Sequence, residues 1–123
     1  MMVERISDSE YAVMEPLWRA APLSANQVAA AIGDERNWSI QTVKTLLARL
    51  VAKGALATQA DGRRFLYSPL IEREAHRAGE MRRLVDRLFG GRISPLVAQF
   101  ADAETLSDTD IAELKALIER LEK

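Results

Sequence analysis

The sequence predicts a mainly helical fold in which three helices precede a two-stranded β-hairpin and further helices follow it. Helix caps and apolar residues at helical spacing recur over residues 7–53. An Asp-Gly pair then separates two short extended segments, which is a hairpin signal. This order is that of a winged helix-turn-helix domain. We therefore expect a winged-helix domain at residues 1–70 and a helical dimerisation domain at residues 71–123.

The first helix is predicted to begin at Ser7, because Ser7 and Glu10 have the spacing of a capping box. It runs towards Ala20, and its apolar residues recur at helical spacing: Tyr11, Met14, Leu17 and Trp18. Pro16 lies within it. A proline inside a helix costs roughly 3 kcal/mol and kinks or shortens the helix, so we expect a distortion near residues 12–16.

Two further helices complete the predicted helical half of the winged domain. Ser24 and Gln27 repeat the capping-box spacing and start the second helix. The third helix is capped by Ser39, runs to Lys53 and is closed by Gly54, since glycine is the usual residue after a helix end.

The hairpin is predicted from residues 55–59 and 64–68, which flank Ala60-Asp61-Gly62-Arg63. Pro69 ends the hairpin. Helical patterns follow it to the end of the chain, at residues 71–89, 93–100 and 108–121, with Ser107 as the cap of the last helix.

The composition excludes several classes of site. The 123 residues are 48% hydrophobic and 28% charged, as in ordinary globular proteins. The absence of cysteine removes disulfides, thiolate metal sites and cysteine nucleophiles. No apolar run approaches the ~20 residues that span a bilayer, and the first residues do not resemble a signal peptide. We therefore expect a cytoplasmic protein without membrane insertion.

Catalysis and metal binding are also disfavoured by the residue types. His76 is the only histidine, and the chain has no glycine-rich phosphate loop and no nucleophile motif. One histidine and scattered acids do not make a recognisable metal site. We expect no enzyme activity, no metal and no cofactor.

The charge is unevenly distributed along the chain. The net charge is −1, but residues 38–68 hold five basic residues against one acid, a local charge of +4. Residues 101–123 hold seven acids against three bases, a local charge of −4. A local basic patch, rather than the total charge, decides whether phosphates are attracted.

The predicted third helix has two different faces. At about 100° per residue, one face is apolar and the other holds small and polar residues: Gln41, Thr42, Thr45, Ala48 and Arg49, with Lys44 and Lys53 at its margins. A face without bulky side chains suits the DNA major groove. We expect base contacts from Gln41 and Thr45, and phosphate contacts from the helix start at Ser39 and from Thr42, Lys44, Arg49 and Lys53.

Arg63 and Arg64 lie beside the hairpin turn, where a wing would reach a neighbouring stretch of backbone or a minor groove. Taken alone, a polar helix face or two arginines in a turn are equally typical of a solvated surface. Their occurrence together, in this order, favours DNA binding.

These residues resemble the BlaI/MecI/CopY family of penicillinase and methicillin-resistance repressors. The similarity is carried by Trp38-Ser39, Thr42-Val43, Thr45-Leu46, Arg49-Leu50, Lys53-Gly54, Phe65 and Tyr67, and by Gly90-Gly91, Leu96-Val97, Phe100 and Leu106-Ser107 further on. The resemblance implies a homodimer that represses resistance or regulatory genes. It further implies a dyad-symmetric operator with TACA/TGTA-like half-sites, read by a helix that corresponds to Ile40–Lys53.

The resemblance also implies a route of induction. In the β-lactam-responsive members, a membrane sensor protease triggers cleavage of the repressor in its dimerisation domain, and the corresponding bond is Gln99–Phe100. The best-known members have asparagine before this phenylalanine, so Gln99 is a departure from the pattern. The copper-responsive branch carries a C-terminal cysteine cluster that this chain lacks.

The C-terminal segment carries three apolar stripes at helical spacing: Leu84, Leu88 and Phe89; Leu96, Val97 and Phe100; and Ile111, Leu114, Ile118 and Leu121. About 50 residues struggle to bury three stripes by themselves, and pairing two copies would cover them. The sequence leaves two alternatives open: a winged helix used for protein contacts without DNA, and a regulator with a small-molecule pocket between its domains.

Overall fold

The computed structural model describes residues 5–122, and its elements follow the predicted order. They are α1 (Asp8–Ala20), β1 (Leu23–Ser24), α2 (Ala25–Ile32), a short 3-10 helix (Asp34–Arg36), α3 (Ile40–Ala52), β2 (Leu56–Asp61), β3 (Arg64–Pro69), α4 (Arg73–Phe89), α5 (Ser94–Asp102) and α6 (Asp108–Leu121). Three helices followed by a β-hairpin wing and C-terminal helices confirm the predicted winged-helix fold class.

Three helices begin at reciprocal capping boxes; the sequence predicts two of them and, for the third, only its cap, Ser107. In α1, the backbone N–H of Glu10 donates to Ser7 Oγ at 3.2 Å and the N–H of Ser7 donates to Glu10 Oε1 at 2.8 Å. Ser24 with Gln27 and Ser107 with Asp110 repeat this arrangement at α2 and α6. Each box satisfies two backbone groups that a helix end otherwise leaves unpaired.

Pro16 does not end α1. The helix continues through this residue to Ala20, and the N–H of Ala21 still donates to the carbonyl of Leu17 at 3.0 Å. Pro16 is itself buried, so its ring contributes apolar contacts that offset the lost backbone hydrogen bond. The expected distortion therefore does not interrupt the helix.

The sheet has one more strand than the sequence predicts. β3 lies in the middle, with β2 on one side and the two-residue β1 on the other, all antiparallel. β1 pairs Leu23 with Tyr67 and Ser24 with Leu66. The same short segment therefore ties the start of α2 to the wing.

The hairpin turn is shorter than the predicted four-residue turn. Asp61 pairs with Arg64, so only Gly62 and Arg63 form the loop. Gly62 has a φ of +64°. A two-residue turn with glycine first at positive φ matches the type II′ geometry that suits the twist of a hairpin.

A single apolar core joins the first three helices and the start of β2. Its fully buried side chains come from α1, α2, α3 and β2: Val13, Met14, Leu17, Val28, Val43, Leu47, Leu50 and Leu56. Four of the thirteen residues of α3 are buried, and all four are apolar and lie opposite the polar face: Val43, Leu46, Leu47 and Leu50. The core therefore fixes how α3 is rotated about its axis.

One ion pair, between Lys53 and the buried carboxylate of Glu10, joins the end of α3 to the first turn of α1. Glu10 is 2% exposed and accepts a hydrogen bond from Lys53 Nζ at 2.5 Å; Lys53 Nζ also donates to the carbonyl of Arg5 at 2.8 Å. Burial raises the pKa of Glu10, but the hydrogen bond and charge of Lys53, together with the hydrogen bonds from Ser7, outweigh it and leave the pKa below its ordinary value.

The described residues form two compact units, 5–76 and 77–122, and the division falls within α4. The first turn of α4 belongs with the first unit. Trp18 Nε1 donates to the carbonyl of Ile71 at 3.0 Å, Arg73 pairs with Glu15 at 3.3 Å, and the ring of His76 lies 5.6 Å from that of Trp18. The domain boundary expected from sequence at residues 70/71 stays a prediction. Among residues 5–122, no helix has the length and apolar character that a bilayer crossing requires.

We expect Glu10→Gln to lower the free energy of unfolding by roughly 1.5–3 kcal/mol near neutral pH, because a hydrogen bond between charged groups is lost. The lowered pKa of Glu10 means that its stabilisation is complete above the ordinary carboxyl pKa of 4.5 and is lost as the pH falls through the lower folded-state pKa. Urea titrations over a series of pH values measure both effects, and the variant should lack this part of the acid-dependent loss.

The matched control is Glu35→Gln, since Glu35 is an exposed carboxylate of the same unit. It should leave the unfolding free energy within about 0.5 kcal/mol of the wild type. An acid-dependent loss of stability that is identical in Glu10→Gln and wild type would contradict the assignment.

Candidate nucleic-acid interface

The exposed face of α3 contains the residues predicted for DNA contact. Gln41, Thr42, Lys44, Thr45 and Arg49 are all exposed, whereas the four residues on the opposite face are buried. Ala48 is also exposed and lies among them. Ile40, 38% exposed at the start of α3, is the one large apolar side chain exposed on the helix; the rest of this face is small or polar, which suits the approach of a helix to base edges.

Local hydrogen bonds orient three side chains at the start of α3. Ser39 Oγ accepts from the backbone N–H of Thr42 at 3.1 Å and lies 3.0 Å from Thr42 Oγ1. Thr45 Oγ1 donates to the carbonyl of Gln41 at 3.0 Å. The Thr45 hydroxyl proton is thus used within the helix, which leaves its oxygen as an acceptor and its methyl group for apolar contact.

The two wing arginines differ in their partners. Arg64 Nε pairs with Asp61 Oδ2 at 3.1 Å across the hairpin end, and both side chains are about half exposed. Arg63 occupies the turn itself and is exposed. Among residues 5–122, Arg63, Lys44 and Arg49 have no ion-pair partner. These three cations are therefore available to an external anion.

A groove of about 550 Å³ connects α3 to the wing. It runs between the first turn of α2, one side of α3 and the hairpin, and the residues that face it include Asn26, Gln27, Lys44, Arg63, Arg64 and Phe65. All charged residues that line it are basic. The geometry thus places the wing arginines and a recognition-face lysine around one cleft, although they are about twenty residues apart in sequence.

Lys53 does not belong to this set. Its ammonium group donates to Glu10 and to the carbonyl of Arg5, and its side chain is only 21% exposed. The phosphate contact expected from Lys53 stays a prediction, because its ammonium group is engaged within the chain. The cation balances a buried carboxylate instead, because a buried charge without a partner is strongly destabilising.

Sequence reasoning missed other residues near the interface. Arg36 lies over the ring of Trp38 at 5.1 Å from its centroid, just before α3, and presents one more cation there. Asn26, in the first turn of α2, faces the groove. The Arg-x-Trp spacing before Ser39 was the sequence signal that could have identified Arg36. The position of Asn26 at the groove depends on how β1 and the wing pack, and no sequence signal indicates it.

The ten residues predicted for dimerisation lie in the unit formed by residues 77–122. None of them is buried, and Leu88, Phe100, Ile118 and Leu121 are 59%, 48%, 53% and 85% exposed. Val85 is the one buried residue among residues 77–122. The apolar stripes of α4, α5 and α6 thus remain largely uncovered in the single chain.

The bond predicted for cleavage lies within α5. The carbonyl of Gln99 accepts from the N–H of Ala103 at 3.1 Å, and the carbonyl of Phe100 accepts from the N–H and the hydroxyl of Thr105 at 3.1 and 2.9 Å. The two residues therefore occupy the closed last turn of a helix. Among the residues that the structure describes, no three histidine or carboxylate side chains are grouped to hold a metal ion.

Comparison with known proteins identifies the family. Residues 6–120 match the family described as penicillinase repressor. The chain belongs to this family. It is 31% identical to the penicillinase repressor of Bacillus licheniformis over 117 residues, which are 95% of this chain and 91% of that protein. It is 30% identical to the methicillin resistance regulatory protein MecI of Mammaliicoccus sciuri, with 94% of each chain covered.

A solved structure extends the comparison to the winged domain. The Bacillus licheniformis BlaI monomeric form, in complex with the blaP half-operator, matches 59% of this chain and 89% of its own with 36% identity and a TM-score of 0.51. Family membership confirms the resemblance found in the sequence. It also confirms that the chain is a repressor-family protein and not an enzyme.

Proposed function

We propose that this protein is a transcriptional repressor that binds a dyad-symmetric operator in duplex DNA as a homodimer. The observation that carries the proposal is the exposed face of α3, where Gln41 and Thr45 are free to meet base edges. Lys44 and Arg49 beside them, and Arg63 on the wing, lack acidic partners among the described residues. The half-operator complex of the 36% identical BlaI supports the assignment.

Pairing of two chains through residues 77–122 is the second part of the proposal. Burial of a large apolar side chain stabilises an interface by about 1.5–3 kcal/mol, and the exposed stripes of α4, α5 and α6 offer several such side chains. A two-fold dimer would present two α3 helices with the symmetry of a palindromic site.

Relief of repression by a sensor protease is the third part. Proteases take an extended segment into their cleft, whereas Gln99 and Phe100 are held in the last turn of α5. We therefore propose that this turn opens before the bond between them is cut.

The DNA-binding part predicts a specific change in salt dependence. Lys44→Ala should weaken binding to every duplex, and it should flatten the plot of log affinity against log salt by about one, because one phosphate contact is lost. The measurement is fluorescence anisotropy with a duplex selected by the protein from a random library and with a scrambled duplex. Lys115→Ala, an exposed lysine of α6, is the control and should change neither quantity.

Thr45→Ala is the contrasting variant in the same experiment. It should reduce the preference for the selected duplex by about fivefold, or ~1 kcal/mol, and leave the salt slope unchanged. Equal losses on both duplexes would place base reading elsewhere. A wild-type protein that selects no sequence and binds both duplexes weakly would favour the protein-contact alternative.

The dimer part predicts that Ile118→Glu shifts the protein to monomers, because a charge cannot be buried cheaply in an apolar interface. Sedimentation equilibrium should show at least a tenfold weaker association. Ala116→Glu adds the same charge on the opposite side of α6, at about 100° per residue, and should leave the dimer intact. Equal association of the two variants would refute this interface.

The proteolysis part predicts that a fragment ending at Gln99 forms in cells that contain both the repressor and the sensor protease. It should form when these cells are exposed to a β-lactam. Intact-mass measurement of the purified repressor identifies it. Gln99→Pro removes the backbone N–H of the residue before the cut bond and restricts its φ, so the opened segment should pair poorly with the protease and the fragment should be suppressed. Induction of the regulated gene with the chain still intact would exclude this route.

A further inference from the structure

The wing carries a large apolar side chain in an unusual place. Phe65 is 57% exposed, and it lies in β3 directly after the two wing arginines. It faces the groove between α2, α3 and the hairpin, together with Tyr67 two residues further along the strand. Since side chains two apart on a strand share a face, both rings border the groove, but Tyr67 is partly buried against the core whereas Phe65 is exposed.

The charges around Phe65 indicate what covers it. Lys44, Arg63 and Arg64 are the charged residues that line the same groove, and all three are basic. An apolar protein partner would leave Lys44 and Arg63 without counterions, since only Arg64 of the three is paired within residues 5–122, with Asp61. A polyanion with apolar surface between its charges satisfies both features, and the sugar–phosphate backbone of duplex DNA has this chemistry: phosphates alternate with the carbon faces of deoxyribose.

We propose that the Phe65 ring packs against deoxyribose in the backbone of bound duplex DNA, beside phosphates held by Lys44 and Arg63. This inference rests on the proposed DNA-binding function and adds an apolar contact to it. The wing then binds in two ways. Its arginines supply attraction that depends on salt, and its phenylalanine supplies a contact that removes apolar surface from water and releases no counterion.

The test uses the full chain and separates the two contributions. Phe65→Ala should weaken binding of the protein to both the selected and the scrambled duplex by about fivefold or more, with an unchanged slope of log affinity against log salt. Arg63→Ala should lower the slope by about one. Phe65→Leu keeps an apolar side chain and should restore most of the affinity.

Leu70→Ala is the matched control. Leu70 is 61% exposed, comparable to Phe65, and it lies just beyond β3 outside the residues that line the groove. Its truncation should leave affinity unchanged. Thermal unfolding of each variant shows whether the fold is retained, and because the Phe65 ring is mostly exposed, we expect the melting temperature to stay close to that of the wild type.

The outcomes separate this inference from the function on which it rests. Wild-type affinity in Phe65→Ala, or a loss accompanied by a lower salt slope, overturns the sugar contact while DNA binding stands. If Phe65→Ala weakens binding to single-stranded DNA but not to the duplexes, the sugar contact is also overturned, since this result would indicate stacking of the ring on an unpaired base. Failure of the wild-type protein to bind any duplex instead removes the proposed function itself.

Discussion

The rotation of α3 in the core is the constraint on which the rest of the interface depends. Val43, Leu46, Leu47 and Leu50 are buried against α1, α2 and β2, so the other side of the helix has to face solvent. A rotation by one residue would turn the helix by about 100° and bury polar groups such as Thr45. The apolar core therefore selects the side chains that can meet DNA, although none of its own members can reach it.

Intrachain ion pairs further limit which basic residues are available to an external anion. Lys53 is one turn beyond Arg49 on the same helix, but Glu10 and the carbonyl of Arg5 hold it within the fold. Arg64 is restrained by Asp61, whereas Arg63 in the adjacent turn position is not paired within residues 5–122. A count of basic residues thus overestimates the cations available to an external anion, because part of the positive charge balances acids of the same chain.

The features predicted correctly from sequence are local. Ser7 with Glu10, and Ser24 with Gln27, make their capping bonds over three residues, and α3 follows its apolar period. The features missed are those between distant segments. β1 has only two residues and no pattern of its own, and the bond from Lys53 to Glu10 spans 43 residues. The groove that Phe65 faces likewise forms only when α2, α3 and the hairpin pack together.

The division of the described chain into two units, 5–76 and 77–122, bears on how a cut in the second unit could relieve repression under the proposed function. Under the proposed function, each α3 of a dimer binds one half-site, and the second half-site is bound at the high effective concentration that the link between chains provides. Cleavage after Gln99 would remove all of α6, including Ile111, Ile118 and Leu121, and with it part of the apolar surface available for pairing. The contacts of α3 and the wing with a half-site would be unaltered, yet the operator affinity would fall because each half would bind alone.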